Sequence, residues 1–375
     1  MSVSLSAPEA ATAPIAPARR VRQSLTYPIE APGAGEMREV GEGVLWFRIP
    51  LPYNTEHINV WLLADVDADG PGWAVVDTGI KTPQTVELWR SLIAPGGGLA
   101  RAGRGGRLTR VICTHFHADH AGMAGWLVRK CRCPLWMTRQ EYLTGQMQLS
   151  EWGQQAPPDA LNFYAACGWS ARTLAHMRTR HGRYAMVVHP FPDEFQALSS
   201  GQALQVGVQR WELFTGRGHS PEHACLVNEA AGLVIGGDQA LPNISSNVSV
   251  TANEPAGDPL GDWIDSLRRL RAHCDSRMLV LPAHGLPYVG LHLRIDELLN
   301  EYEASLEALR SALQVAARRV IDVFPTLFSR PVELDHNFSR LMLATGKSLA
   351  HLNHLKRRGE TICKPDGNGV NWWTA

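Results

Sequence analysis

The run His115-Phe116-His117-Ala118-Asp119-His120 limits what this chain can become more than any other stretch of it. Four ligating side chains fall within six residues, too close together for the two-histidine face of a helical HExxH motif, so they require a loop. Residues 108–113 before the run are apolar and β-branched enough to predict a buried strand. Residues 121–129 after it predict a helix. Strand, ligand loop, helix is the layout by which a layered α/β protein presents chemistry at strand ends. Imidazole mixed with carboxylate suits borderline divalent metals, and this cluster alone holds enough donors for two adjacent ions.

Three later features fit the same plan. Gly218-His219-Ser220-Pro221 places a histidine at a strand-end turn. Asp238 follows the apolar run 233–235 through Gly236-Gly237, and His284 follows the apolar run 278–281 through Pro282-Ala283. Each falls at the end of a predicted strand, so the fold is expected to bring them to one edge.

The rest of the chain is read around those points. Strands over 43–49, 58–63 and 73–76, with a turn at 65–70, predict an antiparallel meander, followed by a helix over 82–94 and a Gly/Arg loop over 95–106. Residues 139–182 lack β-branched runs and predict a helical insert of two or three helices. A second strand-rich block follows, at 187–188, 204–206, 210–214, 225–227, 233–235 and 278–281, with a helix near 263–273. Beyond Pro287 the pattern gives a long helix over 292–323, short helices over 338–345 and 347–358, and a hairpin turning at Asp366-Gly367-Asn368-Gly369. Helix, helix, hairpin is the outline of a small winged helix. The expected domains are therefore a loose leader over 1–36, a catalytic domain over 37–290 and a C-terminal domain over 291–375.

Thirty-six basic residues balance thirty-six acidic ones, so no global field draws the chain to nucleic acid or an anionic membrane. The seven cysteines are odd in number and lack a CxxC pair, which argues against a disulfide framework or a zinc ribbon and for a reducing cytoplasm. Apolar stretches have strand length, not membrane-spanning length.

In this order of motifs the chain resembles the metallo-β-lactamase-fold hydrolase superfamily, in its glyoxalase II-like branch, over roughly residues 40–288: Val76-Asp77-Thr78-Gly79, the HxHxDH run, the GHS histidine, the Gly-Asp and the final His-Gly. The resemblance implies an αββα sandwich of two mixed β-sheets flanked by helices, with the small C-terminal winged-helix domain alongside. It implies two divalent ions, zinc first and iron or manganese according to supply, one held by His115, His117 and His219, the other by Asp119, His120 and His284, with Asp238 bridging. Asp119 would also steady a metal-bridging hydroxide, and Asp77 would fix the tautomer of a ligand histidine.

Other readings compete. Asp77 could cap the helix that follows it. His223 could rival His219 as a ligand, whereas Cys225, in a position suggestive of the thiolate of antibiotic-degrading relatives, reads as a buried strand thiol. The remaining histidines (57, 176, 181, 189, 273, 292, 336, 351 and 354), and His223 unless it is a ligand, read as surface residues. Trp152, Tyr164 and Trp169 of the insert read as core or as the lining of a substrate pocket. The expected activity is cleavage of a thioester or other small ester or lactone. The alternatives are an endoribonuclease aided by Lys356-Arg357-Arg358 with Lys347, Trp372 and Trp373, and a non-hydrolytic metal-binding protein. The insert or the winged helix leaves a homodimer open.

Overall fold

The computed structural model describes residues 24–33, 35–52, 55–333 and 338–375. A first sheet begins with β1 (Met37–Gly41), β2 (Val44–Pro50), β3 (His57–Asp67) and β4 (Gly70–Val76). Helix α1 (Pro83–Ile93) and the turn α2 (Gly98–Arg101) lead to β5 (Leu108–Ile112), followed by the turn α3 (Ala118–Ala121), α4 (Ala124–Cys131) and β6 (Leu135–Thr138). The insert comprises α5 (Arg139–Ser150), α6 (Pro158–Ala166), α7 (Ala171–Arg178) and the turn α8 (Tyr184–Val187), and β7 (Gln196–Leu198) closes the first sheet. A second sheet is built from β8 (Ala203–Val206), β9 (Gln209–Gly216), β10 (His223–Asn228), β11 (Leu233–Gly237), β12 (Leu279–Pro282) and β13 (Tyr288–Val289), with α9 (Pro259–His273) between β11 and β12. The C-terminal part holds α10 (Leu291–Val315), α11 (Phe324–Leu327), α12 (Phe338–Arg357) and the hairpin β14 (Ile362–Pro365) and β15 (Asn371–Thr374).

Both sheets are mixed, as expected. Strands β1 to β4 pair antiparallel and β4 to β7 parallel; in the second sheet β11 and β12 are parallel and the other pairs antiparallel. The period-2 alternation of a strand explains the layers. On β3, Trp61 and Leu63 face the second sheet and meet Trp211, Leu213, Leu226 and Ile235. Val60 and Leu62 face outward onto Trp89 of α1 and Leu127 of α4. The outer face of the second sheet, with Phe214, Val234 and Val280, is covered by Trp263 and Leu267 of α9, Leu298 of α10 and Leu349 of α12. Helix starts follow local rules: Thr82 accepts from the Thr85 amide with Pro83 in the first turn, and Asp258 accepts from the Gly261 amide ahead of α9. The cap of α1 is therefore Thr82, and Asp77 is free for another task.

Several expectations change. The long helix stops at Val315, because Ala316 turns extended and Arg318 exchanges backbone hydrogen bonds with Trp373. The two helices expected over 338–345 and 347–358 are one continuous helix through Gly346, so the junction on which the winged-helix outline rested is absent. Residues 187–188 form no strand; the Val187 carbonyl and the His189 amide bond instead to Lys81 and Gly122. The expected leader falls outside the described residues up to 23, but from 24 to 33 the chain is docked: Thr26 pairs in both directions with Val289, and Leu25, Ile29 and Ala31 pack on the cores.

Candidate metal centre

Strands β4, β5, β9, β11 and β12 all end at one edge of the sandwich, and each is followed by a residue of the predicted set. The exit of β4 grips the histidine run. Thr78 donates from its amide (2.8 Å) and its hydroxyl (2.7 Å) to the His120 carbonyl. The Asp77 carboxylate accepts from the Thr114 amide (2.8 Å) and hydroxyl and faces His120 Nδ1 at 2.8 Å. Asp77 reaches this position with φ of 63°, a left-handed conformation that costs a non-glycine residue energy and persists here because the surrounding bonds fix it.

The ligand atoms converge. His115, His117 and His219 offer ring nitrogens within 4.8 Å of one another, and the nitrogens and carboxylate oxygens of Asp119, His120 and His284, and of His115, His120 and Asp238, lie equally close. Asp238 lies between the first two sets: Oδ2 is 3.2 Å from His219 Nε2, while Oδ1 is 3.5 Å from both His120 Nε2 and His284 Nε2. His284 Nε2 is also 3.3 Å from Asp119. His120 Nε2 and Asp238 Oδ1 are buried and have no hydrogen-bond partner among the described residues. Unpartnered buried polar atoms are costly and uncommon, and imidazole nitrogens and a carboxylate oxygen facing one shared space are the donors a borderline divalent cation takes. The residues fit the metal that the sequence implies.

The electrostatics divide the cluster in two. Burial, reinforced by His120, pushes His115 well below the ordinary imidazole range, and burial with His219 brings His117 to about 3. Burial would lower His120 as well, but Asp77, Asp119 and Asp238 outweigh it and hold that ring well above its ordinary value. Burial opposes ionisation of Asp238 too, yet His120 and His284 keep it well below the carboxylate range; against the same penalty, His120 and His284 bring Asp119 down to about 2. Asp119 and Asp238 are thus matched by imidazole charge, which a bound cation would replace while releasing protons. His219 and His284 are oriented through Nδ1 by the carbonyls of Asn247 (2.7 Å) and His57 (2.8 Å), as ligand histidines require.

Two supporting positions were not read as such from the sequence. Glu141, the third residue of α5, is fully buried and accepts from the Phe116 amide (3.0 Å), the Ser220 hydroxyl (2.6 Å) and the Glu222 amide (2.6 Å). It joins the loop of His115 and His117 to the loop of His219. His223 is buried rather than exposed, and is a support rather than a rival ligand: its Nε2 accepts from the Asp238 amide at 3.0 Å. His351 is buried in α12, and His336 lies outside the described residues. Cys225 is a buried strand thiol as read, and all seven cysteines are free. Of the three aromatics proposed for a substrate pocket, Tyr164 and Trp169 stack on each other in the core, with the Trp169 indole donating to Thr345 of α12 (3.0 Å), and Trp152 is exposed.

Residues 53–312 match the Metallo-beta-lactamase superfamily. The chain belongs to that superfamily. Residues 306–375 match the metallo-beta-lactamase-like C-terminal domain, so the metallo-β-lactamase fold here carries a recognised C-terminal extension. The chain is 35% identical to a β-lactamase domain protein from Burkholderia ambifaria, with a TM-score of 0.84 over 93% of this chain and 98% of that one. A metallo-β-lactamase family protein from Thermus thermophilus is 25% identical, with a TM-score of 0.69 over 88% and 98%. Among curated proteins, a probable metallo-hydrolase of Bacillus subtilis, YqjP, is 24% identical over 89% of this chain and 98% of its own. The protein is thus a metallo-hydrolase of the metallo-β-lactamase superfamily.

Proposed function

We propose that this metallo-hydrolase uses two divalent cations to cleave a thioester or another small ester or lactone. The observation that carries the reading is the placement of Asp238, whose two oxygens face two different ligand sets. The two ligand sets would hold the cations, and these would supply an activated water near neutral pH and polarise the scissile carbonyl. Asp119, ionised at neutral pH and the most exposed acid of the cluster, is positioned to accept a hydrogen bond from the attacking water and align it. Asp77 and Glu141 hold the histidines in register. A thiolate leaves without a proton donor, which suits a cluster whose carboxylates are all held ionised or committed to backbone and hydroxyl donors.

The endoribonuclease reading is weaker because the basic cluster proposed for it is paired within the chain. Arg358 faces Glu303 at 3.2 Å and also Glu360, Arg357 lies 3.9 Å from Asp258, and Lys356 sits over the Trp373 ring. Lys347 is largely buried over Phe328, and the Trp372 indole donates to Asp366. Little of this charge is left for a phosphate backbone. The test is metal analysis of the purified protein together with a panel of acyl-CoA and glutathione thioesters, lactones, β-lactams and RNA. Turnover of a thioester or lactone with two equivalents of metal supports the reading; turnover of RNA alone overturns it.

A further inference from the structure

We infer that helix α12 is a positioning element of the metal centre: through Gly346 it sets the loop whose carbonyl orients His219. The inference rests on the metal-binding reading of the cluster. The loop 239–258 leaves β11 immediately after Asp238 and folds back over the site. Ser246 Oγ donates to the Asp238 carbonyl, the Asn247 carbonyl accepts from His219 Nδ1 at 2.7 Å, and the Asn247 side-chain amide donates to Ser249 Oγ at 2.7 Å. One loop therefore carries one ligand and aims another.

That loop is held from two sides by the C-terminal helices. On the α10 side, Arg294 donates to the carbonyls of Leu241 (2.7 Å) and Ile244 (3.1 Å), and the Tyr302 and Ser245 hydroxyls are 2.6 Å apart. On the α12 side, the Val250 amide donates to the Gly346 carbonyl at 3.1 Å. Glycine is a poor choice inside a helix, yet Gly346 sits near the middle of α12. Its reason is contact: a Cβ there would stand 2.7 Å from Ser249 Cβ, 2.8 Å from Ser249 Oγ and 2.9 Å from the Val250 carbonyl oxygen. Any side chain at 346 must push the segment 247–250 away from α12. Because Val248 and Val250 are buried in the core shared with α12, the segment cannot move without carrying the Asn247 carbonyl with it. His219 Nε2, 3.3 Å from His115 Nε2 and 3.2 Å from Asp238, is aimed by that carbonyl through Nδ1.

Co²⁺ titration of the metal-stripped full-length protein, read by the ligand-field absorption of the bound ion, tests the inference. Gly346→Val is expected to weaken Co²⁺ binding roughly 10–100-fold, the range seen when a partner of a ligand histidine is lost, and to alter the spectrum of the bound ion. Gly346→Ala should give a smaller change of the same kind. Adding Ser249→Gly to Gly346→Ala removes the nearest obstructing atoms and should return affinity and spectrum to those of Ser249→Gly alone. Faster hydrogen exchange of the Val250 amide in metal-free Gly346→Val reports the displaced loop without any metal. Wild-type affinity and spectrum in a folded Gly346→Val overturn the inference, and so does failure of Ser249→Gly to rescue the alanine variant, which decides the matter should the valine variant not fold. A wild-type protein that binds no Co²⁺ overturns instead the metal-binding reading itself.

Discussion

Strand β5 has a buried aspartate at each end. At its start, Asp65 of β3 receives the Thr109 hydroxyl (2.6 Å), two nitrogens of Arg110 (2.8 and 3.1 Å) and the Gly207 amide (2.8 Å). At its finish, Asp77 receives the Thr114 amide and hydroxyl and holds His120. The components are alike, a carboxylate with threonine and one basic group. The first cluster closes on itself and ties the two sheets together, every carboxylate oxygen matched by a donor. The second passes the interaction onward, because the far nitrogen of His120 has no hydrogen-bond partner among the described residues. A saturated polar cluster holds a fold, whereas one that ends in unmatched ligand atoms points to something the chain binds.

Substitutions at the two ends should separate these roles. His115→Ala and Asp119→Asn are expected to lower turnover on the order of 10⁴-fold or more while leaving the melting temperature of the metal-free protein nearly unchanged; activity assays beside calorimetry check both. Asp65→Ala should do the reverse, costing about 3–5 kcal/mol in urea unfolding by stranding Arg110, with metal content per folded molecule intact. Loss of metal in that variant would break the contrast. Glu141→Gln, next in size, should reduce metal affinity or activity roughly 10–100-fold, since the new amide faces donors where the carboxylate accepted, and isothermal titration with Zn²⁺ measures it.

Acidity gives a finer test. Burial, with His219, holds His223 at about 3 in the folded chain against an ordinary 6.5. Between those values the unfolded chain binds a proton that the folded one refuses, so this residue lowers the stability of the metal-free protein as pH falls through that window, by at most about 1.4 kcal/mol per pH unit. His223→Gln should flatten the slope. Smallest of all, alanine at Lys356, Arg357 and Arg358 together should leave turnover and its salt dependence unchanged, with stability effects of roughly 0.5 kcal/mol per site.

The difference between the two ends also explains what was legible beforehand. His115, His117, Asp119, His120, His219, Asp238 and His284 could be singled out because each lies in the segment that follows a strand, where apolar run and candidate ligand are near neighbours in sequence. Glu141 and Asn247 could not: they act on residues 25 and 28 positions away, through contacts that only the assembled sheets create. His223 was misjudged because a histidine opening a strand looks the same whether the strand edge faces solvent or Asp238. The strand blocks were legible from period and spacing and the sandwich from the family resemblance, but the course of the C-terminal part was not. Gly346 looked like a helix break when it marks a close approach, and Val315 ends a helix without glycine or proline because pairing with the terminal hairpin redirects the chain.

The left-handed backbone at Asp77 has a consequence for engineering. A sequence redesigned on this backbone by conformational preference alone would place glycine at 77, which adopts φ of 63° without strain. That choice would relax the turn and delete the acceptor of His120 together with the hydroxyl and amide contacts of Thr114. Stability-guided redesign would thus erase the site first at the position where the scaffold looks weakest. Holding residue 77 fixed is the minimum restraint under which the rest of the chain can be hardened without losing its chemistry.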